Sequence, residues 1–160
     1  MASYAYSYDT SGNLAAQNIA LGGVSTNIVL GSTWDYNGNR TELAVNIGGS
    51  ATFDDNGDFT GFTSGDGITN DFKNVYGYDK LGDMTSITQA ENTSGTYKSV
   101  TSKEVDMTYD DDQRLEYLDM KQGGGSSTVG SASFGYDDDA DLTDLKYTTG
   151  LDGAGSTLAA

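Results

Sequence analysis

Tyr76-Gly77-Tyr78-Asp79-Lys80-Leu81-Gly82-Asp83-Met84-Thr85-Ser86-Ile87 reads as two short runs joined by a reversal. Asp accepts hydrogen bonds from backbone amides two residues on, and Gly supplies positive φ. Asp-x-x-Gly between two runs is therefore the chemistry of a tight turn. The same aromatic-Asp pair recurs as Tyr8-Asp9, Trp34-Asp35, Phe53-Asp54, Tyr109-Asp110 and Tyr136-Asp137. With Tyr78-Asp79 this makes six units, spaced 26, 19, 25, 31 and 27 residues apart from Asp to Asp.

Gly stands three residues after the Asp in four units, as Gly12, Gly38, Gly57 and Gly82. Gln113 and Ala140 replace it in the last two. A polar residue follows, then a larger side chain: Leu14, Arg40, Phe59, Met84, Leu115 or Leu142. The flanking runs alternate. Tyr4, Tyr6 and Tyr8 share one face, and so do Val105, Met107 and Tyr109. Thr41, Leu43, Val45 and Ile47 alternate with Arg40, Glu42, Ala44 and Asn46. Period-two alternation of this kind marks half-buried strands. Gly22-Gly23, Gly48-Gly49, Gly65-Asp66-Gly67, Ser94-Gly95 and Gly123-Gly124-Gly125 look like returns between successive hairpins.

Composition agrees. The 160 residues include 22 Gly and 11 Tyr, with no Pro, Cys or His. Gly, Asp, Thr and Asn form helices poorly. The expected fold is all-β: consecutive antiparallel β-hairpins in one curved sheet or a β-solenoid strip. Residues 1–160 are expected to form a single repeat domain, with units centred on Asp9, Asp35, Asp54, Asp79, Asp110 and Asp137.

The net charge of −16 argues against nucleic acid, whose binding needs Lys and Arg to neutralise phosphates. It argues equally against anionic membranes. No apolar run approaches the roughly 20 residues of a membrane span, and no Sec-type signal is visible. Without His or Cys the common triads and thiolate zinc sites are excluded, so no catalytic residue is assigned and no enzymatic role is expected.

Ca²⁺ is the cofactor that the residues raise. Asp54-x-Asn56-x-Asp58 and Asp137-x-Asp139-x-Asp141 follow the first half of a calcium loop. Their Gly or Ala precedes the third ligand, and Gly65 and Thr148 stand where a bidentate Glu belongs. The competing reading is that Asp, Asn and Gly are ordinary turn formers. Asn39-Arg40-Thr41 and Asn92-Thr93-Ser94 are glycosylation sequons. Stripes of Tyr on a sheet suit either cross-strand packing or glycans.

The motif Tyr-x-Tyr-Asp-x-x-Gly-[Asn/Asp]-Leu-Thr-x-Ile resembles the YD repeat of the RHS (rearrangement hot spot) family, in degenerate copies. Tyr6-Ser7-Tyr8-Asp9-Thr10-Ser11-Gly12-Asn13-Leu14 and the opening stretch carry the resemblance best. It implies hairpins adding side by side into a strip, and a structural role at the cell surface or outside the cell. The Asp-Pro motif of a self-cleaving shell end is absent, since the chain has no Pro.

An open strip leaves a strand edge, and an unprotected edge templates pairing with another chain. The segment Ala2-Ser3-Tyr4-Ala5-Tyr6 carries neither Pro nor charge. Self-association into a filament through Tyr4, Tyr6 and Tyr8 is the expected function. A piece of an RHS-type shell, or a small Ca²⁺- or glycan-binding module, is the alternative.

Overall fold

The computed structural model describes residues 1–23, 25–63, 71–89, 101–123 and 127–149, and the backbone of 156–159. Asn92, and the connections at Gly65-Asp66-Gly67, Ser94-Gly95 and Gly124-Gly125, lie outside the described residues.

The described residues are all-β. In chain order the strands are β1 (Ser3–Tyr8), β2 (Leu14–Ala20), β3 (Asn27–Trp34), β4 (Arg40–Ile47), β5 (Ser50–Phe53), β6 (Phe59–Thr63) and β7 (Phe72–Tyr78). Then come β8 (Met84–Gln89), β9 (Lys103–Tyr109), β10 (Leu115–Gln122), β11 (Ser127–Tyr136), β12 (Leu142–Thr149) and β13 (Ser156–Ala159). Each of the six aromatic-Asp pairs sits at the junction of two consecutive strands. Eleven strands hydrogen-bond in the order β1-β2-β3-β4-β7-β8-β9-β10-β11-β12-β13. The registered pairs run antiparallel, and the order does not return on itself. No helix among the described residues is long and apolar enough to cross a membrane.

Two compact units divide the chain. The first takes in the described residues of Met1–Tyr76, the second those of Gly77–Gln89 and Thr101–Ala160.

In the first unit one hairpin leaves the sheet order. β5 and β6 pair only with each other among the described residues, so five of the six hairpins, not six, build the main ladder. Two features explain the departure. Its strands are short, four and five residues, and offer few ladder bonds. Its Phe59 finds a better place on the face of the sheet. Ala16 lies opposite Gly31, and Gly31 opposite Ala44, so three small residues form a floor across β2, β3 and β4. The Phe59 ring covers this floor: a Cβ on Gly31 would stand 2.2 Å from it. Phe59, Ala15 and Ala44 are the buried cluster, flanked by Ala51 and Phe62. Phe62 meets Phe59 edge-on, with centroids 4.9 Å apart.

This packing decides which side of β4 is inside. Ala44 and Asn46 are buried, at 0% and 1% exposure, while Leu43, Val45 and Ile47 are only half-buried. The deepest contacts thus come from the small and polar set, because that is the face Phe59 seeks. β1 departs from the expected half-burial in the other direction, since all six of its residues are exposed.

In the second unit successive hairpins pair in register from β8 to β12. β13 pairs with Lys146–Thr149 of β12, and β11 pairs with β12 from Leu142 to Thr149.

Candidate functional site

The six turns share one hydrogen-bond pattern. The amide of each Asp donates to the carbonyl four residues on, at 2.9–3.0 Å. The amide three residues on donates back to the Asp carbonyl, at 3.0–3.3 Å. In five of the turns the Asp Oδ1 accepts the amides two and four residues on: Asn37 and Asn39, Asn56 and Asp58, Leu81 and Asp83, Asp112 and Arg114, Asp139 and Asp141. Asp9 Oδ1 likewise accepts Asn13 N at 2.7 Å.

Gly12, Gly38, Gly57 and Gly82 occupy the third position, with φ of 88°, 83°, 81° and 94°. Gln113 and Ala140 hold the same left-handed conformation, at 64° and 66°. Side chains rarely adopt it, because Cβ crowds the following carbonyl. The Asp cage enforces it in these two turns without help from glycine.

The residue at the fourth position divides the turns into two kinds. Asn13 and Asn39 donate Nδ2 to Oδ2 of Asp9 and Asp35, at 2.9 and 3.0 Å. Arg114 Nε donates to Asp110 Oδ2 at 2.7 Å. These donors hold three carboxyls below the usual range. For Asp9 the Asn13 side chain is the main cause. For Asp35 and Asp110 the amides of Asn39 and Arg114 come first. The other three turns carry Asp58, Asp83 and Asp141 at this position, and an ionised carboxylate has no proton to donate.

The calcium candidates fall in this second kind of turn. Asp54 and Asp137 spend Oδ1 on their own loop amides. Among the described residues no group of three or more acidic side chains is placed to hold a metal ion. The sequon residue Asn39 sits inside a turn with its side-chain nitrogen already bonded to Asp35.

A second pattern joins one hairpin to the next. Trp34 Nε1 donates to the carbonyl of Leu14 at 3.0 Å. The Tyr109 hydroxyl donates to the carbonyl of Met84 at 2.8 Å, and that of Tyr136 to Leu115 at 3.0 Å. In all three the aromatic before one Asp bonds the carbonyl five residues after the previous Asp. The registers agree. Extending Ala16↔Gly31, Ser86↔Asp106 and Tyr117↔Ser133 by one-for-one steps puts Trp34 opposite Asn13, Tyr109 opposite Asp83, and Tyr136 opposite Arg114. Arg114 reinforces its joint. Its guanidinium stacks 4.9 Å from the Tyr136 ring centroid and Nη1 reaches the Asp137 carbonyl at 3.2 Å. Sequence reasoning missed this joint, because its acceptor is a backbone atom 20 to 25 residues away.

Tyr4, Tyr6 and Tyr8 stand on β1, exposed at 57%, 53% and 60%. β2 is the one strand that pairs with β1 among the described residues. Two clefts of about 210 and 220 Å³ flank the third hairpin. The first is lined by Asp9, Trp34, Asp58 and Phe59 among others, and the second by small and apolar residues such as Ala5, Ala16 and Val29.

No family model matches this chain, and no curated protein matches it. Among solved structures, the crystal structure of TcdB2-TccC3-Cdc42 aligns over 98% of this chain at 18% identity with a TM-score of 0.46. The crystal structure of TcdB2-TccC3-TEV aligns over 98% at 18% identity with a TM-score of 0.45. In both cases the chain spans 8% of the length of the protein it is aligned with.

Proposed function

We propose that this chain is a structural repeat protein that associates with its own kind, an assembly unit rather than an enzyme. The reading rests on one observation: the joint between hairpins recurs with the same donor and acceptor positions at Trp34–Leu14, Tyr109–Met84 and Tyr136–Leu115. A joint that repeats inside a chain is a unit of addition, and addition is what a β-strip does with its binding surface. Among the described residues β1 is exposed along its length and carries none of the charge or Pro that blunts edges in monomeric sheets. Head-to-tail contact of this kind is heterologous and yields open filaments. Together with the RHS-like repeat residues, this favours a surface or extracellular setting.

The test is sedimentation velocity and electron microscopy of the purified chain over a range of concentration and salt. Net charge of −16 opposes association at low ionic strength, and screening at ~0.1 M salt shortens its reach to about 10 Å. Association that strengthens with salt and gives elongated particles is the expected result. A chain that stays monomeric at every concentration and salt overturns the reading. It favours the RHS-shell alternative, in which the neighbouring hairpin belongs to the same polypeptide.

A further inference from the structure

We infer that the second unit packs the apolar face of its sheet against the same face of a second copy of this chain. This rests on the self-association reading above and adds a contact between faces to the contact between edges.

The register sorts the side chains of β8 to β12 onto two unlike faces. Directly opposed residues on neighbouring strands share a face, and so do residues two apart on one strand. Ile87 lies opposite Val105, and Val105 opposite Met120. Two residues along, Met107, Leu118, Ala132 and Tyr147 form a row across four strands. Phe134 and Leu145 pair beside it. On the other face Ser86, Asp106, Asp119, Ser131 and Thr148 make the matching row. Glu104 and Asp144, opposite Lys121 and Gly135, register on that polar face as well. No registered carboxylate of these strands lies on the apolar face.

That face has no cover of its own. Among the described residues every strand of the second unit lies in the one ladder, and none leaves it as β5 and β6 do in the first unit. Leu145 and Tyr147 are 38% and 37% exposed. The surface is also level. A Cβ on Gly130 would stand 2.9 Å from Met120 Cε and 3.3 Å from the Tyr147 hydroxyl, so these two side chains fill the gap that the glycine leaves.

Size and charge name the occupant. Five strands about 4.8 Å apart, counted over the six residues of β8, the shortest of them, at ~3.4 Å each, give roughly 500 Å² of face. Two copies together cover roughly 1,000 Å², which a specific interface needs as a minimum. The net charge of −16 opposes any approach that brings carboxylates together. Sheets packed face to face lie ~10 Å apart and turn their polar faces outward. The carboxylates of the two copies then stay beyond the Debye length of ~8 Å at physiological ionic strength. A level apolar face is its own complement, so the contact is isologous and uses each face once.

The test compares two added charges by sedimentation equilibrium at ~0.15 M salt. Leu145→Glu puts a carboxylate on the apolar face at an exposed position. Thr143→Glu adds the same charge outside the apolar rows, at the position that Glu116 holds in the previous hairpin. Leu145→Glu is expected to weaken association at least about tenfold, because an isologous contact buries the new charge twice. Thr143→Glu is expected to stay within about twofold of the parent. Tyr147→Ser removes apolar area without adding charge, and is expected to weaken association about three- to tenfold. It keeps the test open if the Leu145→Glu chain does not fold, which circular dichroism of each diluted chain checks. Folded Leu145→Glu or Tyr147→Ser chains that associate as tightly as their parent overturn the face contact and leave self-association standing. Equal weakening by Thr143→Glu overturns it too, since charge alone then explains the loss. Copies that stay monomeric overturn both, and binding of such copies to phosphatidylcholine vesicles would give the face to lipid.

Discussion

The Tyr109 hydroxyl rests 2.8 Å from the carbonyl of Met84, the first residue of the preceding strand. This bond uses the polar tip of a half-buried aromatic, so one side chain packs and anchors at once. The Met84 carbonyl follows a turn, where ladder pairing has lapsed. The tyrosine restores a partner that a part-buried carbonyl needs.

Tyr109→Phe is therefore expected to destabilise the second unit by about 1–2 kcal/mol, the cost of a lost hydrogen bond plus an unpaired carbonyl. Urea denaturation followed by tryptophan-independent circular dichroism measures it. The pH dependence carries its own signature. Burial first, then the charges of Asp83 and Asp79, raise the Tyr109 pKa. A raised folded value means the contribution is complete below the ordinary tyrosine value near ~10, and is lost as pH rises through the higher folded value. Alkaline destabilisation should be weaker in Tyr109→Phe than in the parent.

Asp83→Asn is expected to stabilise the protein. Asp83 Oδ2 is buried without a hydrogen-bond partner, and it shares a turn with Asp79. Asn13 and Asn39, at the same position in their turns, each donate Nδ2 to the turn Asp. Asparagine at 83 reproduces that bond and removes a like-charge neighbour. A gain of roughly 0.5–1.5 kcal/mol follows, read as a higher urea midpoint with an unchanged m-value. A loss of stability would show that the Asp79 turn cannot adopt the Asp9 geometry.

Acid should loosen the protein through the first kind of turn. Asp9, Asp35 and Asp110 have lowered pKa values. Their contribution is present above the unfolded value near ~3.9, and is lost as pH falls through the lower folded values. Urea midpoints measured between pH 5 and pH 2 are expected to fall mainly below pH 4. Asp35→Asn should flatten part of that decline. An equal slope in both proteins would remove this turn from the acid response.

The turns were legible in the sequence because their chemistry is local. Asp and Gly three residues apart specify both the acceptor and the positive φ, and the alternating flanks supply the strands. Gln113 and Ala140 show the limit of that logic, since neither residue type signals a left-handed backbone. The escape of the third hairpin was not legible. It depends on Phe59 meeting Gly31, residues whose proximity no local pattern encodes. The short spacing of 19 residues before Asp54 was its one trace. The aromatic donors were visible as residues, but their acceptors are backbone atoms and carry no side-chain signature.

Gly31 should tolerate no side chain. A Cβ there would stand 2.2 Å from the Phe59 ring, closer than any relaxed contact. Gly31→Val is expected to displace the third hairpin from the floor formed by Ala16, Gly31 and Ala44. Phe59→Ala removes the same contact from the other side, at roughly 3–5 kcal/mol for a buried Phe. The double variant should cost clearly less than the sum of the two, because both act on one contact. Strict additivity in denaturation would mean that the hairpin is not held by this ring.

Ala140→Gly is the sharpest test of the turn geometry, because it separates strain from sequence pattern. Ala140 holds φ of 66° in the turn where four other units place glycine. A left-handed residue with Cβ costs roughly 1–2 kcal/mol relative to its ordinary conformation. Glycine removes that cost but gives back about 0.4–1 kcal/mol through the freer unfolded chain. The net expectation is a gain of up to ~1.6 kcal/mol, with no change in secondary structure. Gly82→Val runs the same comparison in reverse. Nothing lies within 4 Å of a Cβ built on Gly82, so the φ of 94° and not crowding must supply the penalty. β-branching makes this conformation worse still, and a loss larger than the ±0.5 kcal/mol of ordinary surface substitutions is expected. Urea midpoints for the two variants should move in opposite directions from the parent. If both move the same way, or neither moves, the left-handed backbone at the third turn position does not govern the stability of the hairpins.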